Sequence, residues 1–284
     1  MPTRSPRHPA LRGLIRTLWT TEPGVPAHAG RERVLPTGSM HLAVRLSGPP
    51  LRVFRHPGDR EGQTIGHAVI GGARTAPYLR DVSEPVASVG IVFHPGAAPA
   101  VLGVPADELS GRHTSLEDLW GLEARFFHER LAEEMDAERR LELLEELLLS
   151  RRPGAPSQAI ARAVERLERG DPVSAAIEES GFSHRHFLET FRRTVGLTPK
   201  RYGRVARFQR AVDSLFTRPR PSLAELAVEA GYADQPHLTR DFVELAGITP
   251  GRYGALSPAS PNHVPEVNSV QDPPVAPGQF VRTP

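Results

Sequence analysis

The amino-acid sequence predicts an α+β chain. A small β-barrel or sandwich over residues 1–115 is followed by a helical segment over 116–152. An all-α domain over 157–254 then holds two helix-turn-helix units joined by a long helix. Three observations predict this order. Short apolar runs punctuated by Gly and Pro fill roughly the first 95 residues, as strands and turns do. Beyond Ser115 the apolar spacing changes to three and four, the helical period. In the last third, GFSHRHFLETFRRTVGLTPKRY at 181–202 and GYADQPHLTRDFVELAGITPGRY at 231–253 repeat one pattern.

In the N-terminal part, Met40–Leu46, Leu51–Phe54, His67–Ile70 and Val86–Phe93 are expected strands, with Leu42, Val44 and Leu46 alternating. Gly48-Pro49-Pro50, Pro57-Gly58, Gly71-Gly72 and Pro95-Gly96 break the runs. Strands this short and evenly spaced suit a small barrel or sandwich. Ala97–Leu102 and Pro105–Leu109 read as short helices. Leu119, Leu122, Phe126, Phe127, Leu131 and Met135 form one helical stripe, and Arg140–Leu149 is rich in strong helix formers. The 116–152 segment is therefore a helical linker or a dimerisation element. Arg151–Pro156 breaks the pattern and marks the inter-domain boundary. Ser157 caps the next helix, which runs to Arg169. Residues 255–284 contain seven prolines and are expected to be a structureless tail.

Each repeat reads as helix, turn and helix. In the second copy Ser222 and Glu225 form a capping-box pair. Leu223, Leu226, Ala227 and Ala230 make one apolar face, and Gly231 supplies the positive φ of the turn. Asp234 caps a helix carrying Leu238, Phe242 and Leu245, and Thr249-Pro250 opens another. The first copy does the same with Gly181, Ser183, Phe187, Phe191, Val195 and Thr198-Pro199. From Phe191/Phe242 to Tyr202/Tyr253 the offset is a constant 51, whereas the two opening glycines are 50 apart. The helix after Pro199 is a rod of roughly 25 Å. That length suits holding two recognition helices in neighbouring major-groove segments.

Charge is uneven. Net charge is +2, but 181–210 holds eight basic side chains and only Glu189 as an acid, while Ser222–Tyr253 holds five acids and two bases. The first unit and linking helix are thus expected to supply most electrostatic attraction for a polyanion. The chain has no cysteine, which excludes disulfides, thiolate metal sites and cysteine nucleophiles. No apolar run reaches the ~20 residues of a membrane span, and the first residues lack a signal-peptide pattern. A cytoplasmic protein is expected.

The order Gly-aromatic-Ser/Ala, Phe, Thr-Pro, Arg-Tyr, written twice around a linking helix, resembles the AraC family of bacterial transcription regulators over 157–254. A looser resemblance, through Arg31–Pro36, Val89–Ala100 and Leu102–Leu119, links the earlier part to the sensory domain of one AraC subgroup. The resemblance implies double-stranded promoter DNA as partner, with RNA polymerase added if the chain activates transcription, and a small-molecule effector of unknown identity. It places Arg185, Leu188 and Glu189 of the first unit and Gln235, Thr239 and Arg240 of the second on DNA, with Arg192 on phosphate. Arg pairs bidentately with guanine, Gln with adenine, and Thr offers its methyl to thymine. Arg201 and Arg252 read equally as phosphate ligands or as capping and pairing groups. Two departures from the family pattern stand out: Ala176-Ile177 in place of Leu-Ala, and Ser180 at a usually apolar position.

Other readings compete. His28, His41, His56, His67 and His94 lie in a cupin-like region, but no His-x-His pair and no suitably spaced Glu accompany them in 1–120. No metal, cofactor or catalytic residue is therefore assigned. The alternatives are a metal-dependent cupin-type enzyme tethered to DNA and an architectural DNA binder without sensing. A homodimer through 116–152 is one expected assembly.

Overall fold

The β-rich expectation resolves into two antiparallel sheets, in a computed structural model that describes residues 3–23, 30–218 and 221–266. In chain order the N-terminal elements are β1 (Thr3–Arg4), α1 (Pro9–Arg12), β2 (Ile15–Thr21), β3 (Arg31–Val34), β4 (His41–Arg45), β5 (Leu51–Phe54) and β6 (Gln63–Gly66). Then come β7 (Ala68–Gly71), β8 (Tyr78–Asp81), β9 (Ser88–Phe93), α2 (Ala98–Leu102), α3 (Ala106–Leu109) and β10 (His113–Ser115). One sheet has the order β1-β2-β9-β4-β7-β10; the other is β11-β3-β8-β5-β6, with β11 (His263–Pro265) arriving from the far end of the chain. β2, β3 and β8 carry mixed rather than alternating side chains, so period two gave no sign of them.

Three helices follow: α4 (Leu116–Trp120), α5 (Leu122–Glu133) and α6 (Ala137–Ser150). The single stripe expected from Leu119 to Met135 does not form. Gly121, at φ 55°, separates α4 from α5 and resets the phase. The buried face becomes Leu116, Trp120, Ala124, Phe127 and Leu131, leaving Leu122, Phe126 and Met135 exposed at 68%, 65% and 80%. On α6, Leu141, Leu144 and Leu148 join Leu42, Ile70, Ile91 and Phe93 of the larger sheet in one hydrophobic cluster. Glu145, also on α6, is buried and accepts backbone N–H groups from Arg7 and His8, which fastens the N-terminal segment to this helix.

The C-terminal helices are α7 (Gln158–Arg169), α8 (Val173–Ser180), α9 (His184–Val195), α10 (Pro199–Thr217), α11 (Leu223–Ala230), α12 (Gln235–Ala246) and α13 (Pro250–Leu256). Each expected N-cap side chain makes its bond, but the reciprocal half of the Ser222/Glu225 capping box, a bond to the Glu225 carboxylate, is absent among the described residues. The side chains of Ser157, Ser183, Thr198, Ser222, Asp234 and Thr249 each accept a backbone N–H from the first turn of their helix. Each such cap contributes about 1 kcal/mol. Phe187, Phe191, Phe208, Leu238, Phe242 and Tyr253 are fully buried. They belong to the same cluster as the sheet residues, so one apolar core runs from the sandwich into both helix-turn-helix units.

The expectation of a structureless tail over 255–284 is corrected in its described part. α13 runs to Leu256, and the chain then returns to the N-terminal sandwich as β11, pairing antiparallel with β3 in the register His263↔Val34, Val264↔Arg33 and Pro265↔Glu32. Prolines permit this because Pro265 sits in an edge strand. Residues 267–284, like His28, lie outside the described residues.

Candidate DNA-binding surface

Each unit turns its apolar side inward and leaves one helix face without partners. In α9, Phe187, Phe191 and Val195 are buried, while Arg185 and Glu189 are exposed and Leu188 is half-buried. In α12, Leu238, Phe242 and Leu245 are buried, Gln235 and Arg240 exposed, and Thr239 half-buried. Ser180, the polar residue at an apolar family position, has a structural use. Its hydroxyl donates to the Ile177 carbonyl at 2.7 Å and accepts the Phe182 N–H at 3.1 Å, closing the end of α8. Ala176, one turn earlier on α8, is buried, and the Ser180 hydroxyl is left with both of its bonds made.

The polar side chains fall into two groups. Arg185, Glu189, Arg201, Gln235, Thr239 and Arg240 make no side-chain hydrogen bond or ion pair among the described residues. The arginines of the linking helix beyond its first turn, Arg204, Arg207 and Arg210, are instead committed. Arg204 holds Asp241 at 2.9 Å and also pairs with Glu244. Arg207 reaches Asp241 at 3.8 Å and lies over the Tyr232 ring at 4.9 Å. Arg210 donates to the carbonyls of Glu168 and Ala230 at 2.5 and 3.1 Å. Beyond its first turn, α10 therefore spends Arg204 and Arg207 on the acids of the second unit and Arg210 on backbone carbonyls. Sequence order showed those arginines as part of a basic stripe; only the packing of α10 on α11 and α12 reveals their partners. Arg185, Arg193, Lys200 and Arg201 remain the free cations of the first unit among the described residues.

Two predicted phosphate ligands face the N-terminal sandwich. Arg192 pairs with Asp107 of α3 at 3.2 Å. Arg252 lines a cavity of about 190 Å³ together with Arg33, Ile248, Leu256, Val264 and Glu266. Between them lies a contact that the repeat makes twice. Gly196 and Gly247, the equivalent glycines that end α9 and α12, have φ of 87° and 71°. A Cβ on Gly196 would stand 3.1 Å from the Ala106 carbonyl oxygen and 3.3 Å from the Ala73 Cβ, and one on Gly247 would collide with the Arg33 guanidinium. Both helix-turn-helix units are thus seated on the sandwich by the same position of the repeat. The linking helix adds a third seat, where Gln209 donates to the Pro36 carbonyl at 2.8 Å.

The sandwich itself carries a polar cluster that joins its two sheets. The Arg74 guanidinium lies 4.3 Å over the Tyr78 ring, and Tyr78 meets His113 edge-on at 4.4 Å, with His41 6.2 Å from His113. Burial, and then the nearby Arg74, hold His41 down to about 3 and His113 to about 2, so both are neutral. Glu32 is held down to about 2: burial opposes its charge, but a hydrogen bond from His263 and the Arg80 guanidinium outweigh it. Among the described residues no three His, Asp or Glu side chains converge as metal ligands. No described helix is long and apolar enough to cross a membrane.

Residues 176–255 match a family described as a helix-turn-helix domain, and residues 3–115 match a domain of unknown function (DUF6597). No curated protein matches the chain. Among solved structures, ToxT from Vibrio cholerae is similar with a TM-score of 0.45 at 9% identity, covering 84% of this chain and 98% of that one. The same figures hold for ToxT from Vibrio cholerae O395 bound to (E)-4-(8-methylnaphthalen-1-yl)but-3-enoic acid. The xylose-binding transcription activator XylR gives a TM-score of 0.31 at 19% identity over 51% of this chain and 40% of that one.

Proposed function

We infer, from a C-terminal helix-turn-helix domain of the AraC type at 176–255, that this chain is a transcription regulator that binds promoter DNA in a sequence-specific way. The observation that carries the reading is the division of its polar side chains. Arg204, Arg207 and Arg210 of α10 are consumed inside the fold, whereas Arg185, Glu189, Gln235, Thr239 and Arg240 are left with unused hydrogen-bonding capacity on two helix faces. Unsatisfied polar groups on a rigid helix suit direct readout of base edges. α10 spans about 28 Å at 1.5 Å per residue, which suits two heads on successive major-groove segments of one duplex face.

In this reading Arg185 takes a guanine, Gln235 an adenine and Thr239 a thymine methyl, while Leu188, Glu189 and Arg240 adjust selectivity. Arg201 serves phosphate. The N-terminal sandwich is the sensing domain, and a small molecule or partner acts there by favouring one arrangement of sandwich and reading heads over another. The seats at Gly196 and Gly247 are the mechanical link that supports this. Activation, the direction the family tends to take, brings in RNA polymerase as a partner. The setting is cytoplasmic, and no catalytic role is assigned.

The test is selection of bound duplexes from a random pool, followed by binding of selected and mixed-sequence DNA. Arg185→Ala and Gln235→Ala should each lower the preference for the selected site by about 1–3 kcal/mol. Retention of full preference by both variants would sink the assignment of readers. Failure to retain any duplex at low salt would sink DNA binding itself.

A further inference from the structure

The second reading head has something that the first lacks: a strap. After Tyr202 the chain continues as the long helix α10. After Tyr253 it turns at Ser257 and lies along the sandwich as β11. This return segment touches three bodies at once. Leu35 donates its backbone N–H to Asn262 and Glu266 donates its own to Arg31, both at 2.9 Å, which adds the segment to the edge of the smaller sheet. The Asn262 side chain accepts from Gln209 of the linking helix at 2.8 Å. Tyr253, an anchor of the repeat, donates to the Pro261 carbonyl at 2.8 Å.

Glu266 completes the tie. It accepts from Arg33 at 2.7 Å, and Arg33 donates in turn to the carbonyl of Ala246, the last residue of α12. Arg33 and Val264 are buried, at 8% and 1% exposure. In this arrangement Arg252 lines the cavity beneath the strap, and on the other head Arg192 is held by Asp107 of the sandwich. Two cations suited to phosphate therefore point to the sandwich in the strapped form.

We propose that residues 258–266 form an interdomain latch: β11 adds to the edge of the five-stranded sheet, holds the second head against the sandwich, and keeps the protein in a form of low DNA affinity until the strand detaches. The inference rests on the DNA-binding reading above. A three-residue edge strand is small enough to open without unfolding the sheet beneath it, as local openings of native proteins do. DNA then binds the opened fraction, and its apparent affinity is reduced by that fraction.

The absence of cysteine makes the latch directly testable. Leu35/Asn262 and Arg31/Glu266 are hydrogen-bonded positions of the ladder, and antiparallel alternation makes Arg33/Val264 another, so Val34 and His263 form a non-hydrogen-bonded pair. Such pairs have Cα atoms about 4.5 Å apart, inside the range a disulfide spans. The double variant Val34→Cys/His263→Cys is assayed, oxidised and then reduced in the same sample, by fluorescence anisotropy on a mixed-sequence duplex of about 30 base pairs, nearly three helical turns. The oxidised form should bind at least about tenfold more weakly than the reduced form, as locking removes the competent fraction. Independently, Val264→Asp in the full chain should loosen the strand and bind the same duplex more tightly than wild type. Equal or tighter binding by the oxidised form, or no gain from Val264→Asp, overturns the latch. If wild type and both variants all fail to bind at low salt, DNA binding itself has failed and the latch falls with it.

Discussion

Asp107, on the short helix α3 of the sandwich, holds the guanidinium of Arg192, on the recognition helix α9, at 3.2 Å. The other carboxylate oxygen of Asp107 is buried without a hydrogen-bond partner, so this acid is committed to one interaction only. A carboxylate of the N-terminal sandwich thus occupies a cation of the first helix-turn-helix unit.

Asp107→Asn should release Arg192 with little change in volume. The expected outcome is tighter DNA binding at low salt and a slope of log K against log salt steeper by about 0.9, one added phosphate contact. Arg192→Ala should abolish the gain when combined with Asp107→Asn. Salt titrations of the single and double variants check this. Arg192 is more than half exposed, so stability should change by less than about 1 kcal/mol.

The paired glycine seats give a stability prediction. Gly181→Ala places a methyl where nothing stands within 4 Å, at φ 69°, so only backbone strain of about 1–2 kcal/mol applies. Gly196→Ala adds contact with the Ala106 carbonyl to the same strain. Urea unfolding should show Gly196→Ala to be the more destabilising of the two; equal losses would deny the seat.

Acid should weaken the sandwich through His41 and His113. Both are neutral in the fold, facing Arg74, Arg80 and, for His41, His263. Their values are lowered, so as pH falls from about 6.5 the unfolded chain takes up protons that the folded chain refuses, and stability falls with it. Glu32, held ionised down to about 2, extends the loss below pH ~4.5 by the same sign. Guanidinium unfolding between pH 7 and 4 should show the decline, and His41→Asn should reduce its slope by about one proton.

Phe191→Ala and Phe242→Ala remove equivalent, fully buried rings from the two heads. Each should cost about 3–5 kcal/mol. Because one hydrophobic cluster links both heads to the sandwich, the unfolding transition is expected to remain single, at a lower midpoint, by circular dichroism.

The caps and the inward faces were legible in the sequence because each is a local relation. Ser183 and His186, or Phe187 and Phe191, lie within one or two helical turns, and spacing alone places them. The stripe through Leu122, Phe126 and Met135 was misleading because Gly121 breaks the helix and resets its phase. The candidate readers Arg185, Gln235 and Thr239 could be named from the repeat, yet nothing local separated them from Arg204, Arg207 and Arg210. All are polar residues on helices; the difference is whether another helix supplies a partner.

By itself the sequence determined two similar helical units, their caps, their cores and the residues placed outward on each recognition helix. These follow from helical periodicity and from groups a few residues apart. Only the tertiary structure decided that Arg204 and Arg207 of α10 are spent on the second unit, that Asp107 takes Arg192, and that the chain returns through β11 to the sandwich. Those contacts join residues up to 233 positions apart, as in Arg33 and Glu266. No spacing rule reaches that far, because such pairings are set by how whole elements pack, where burial and charge compensation are settled together.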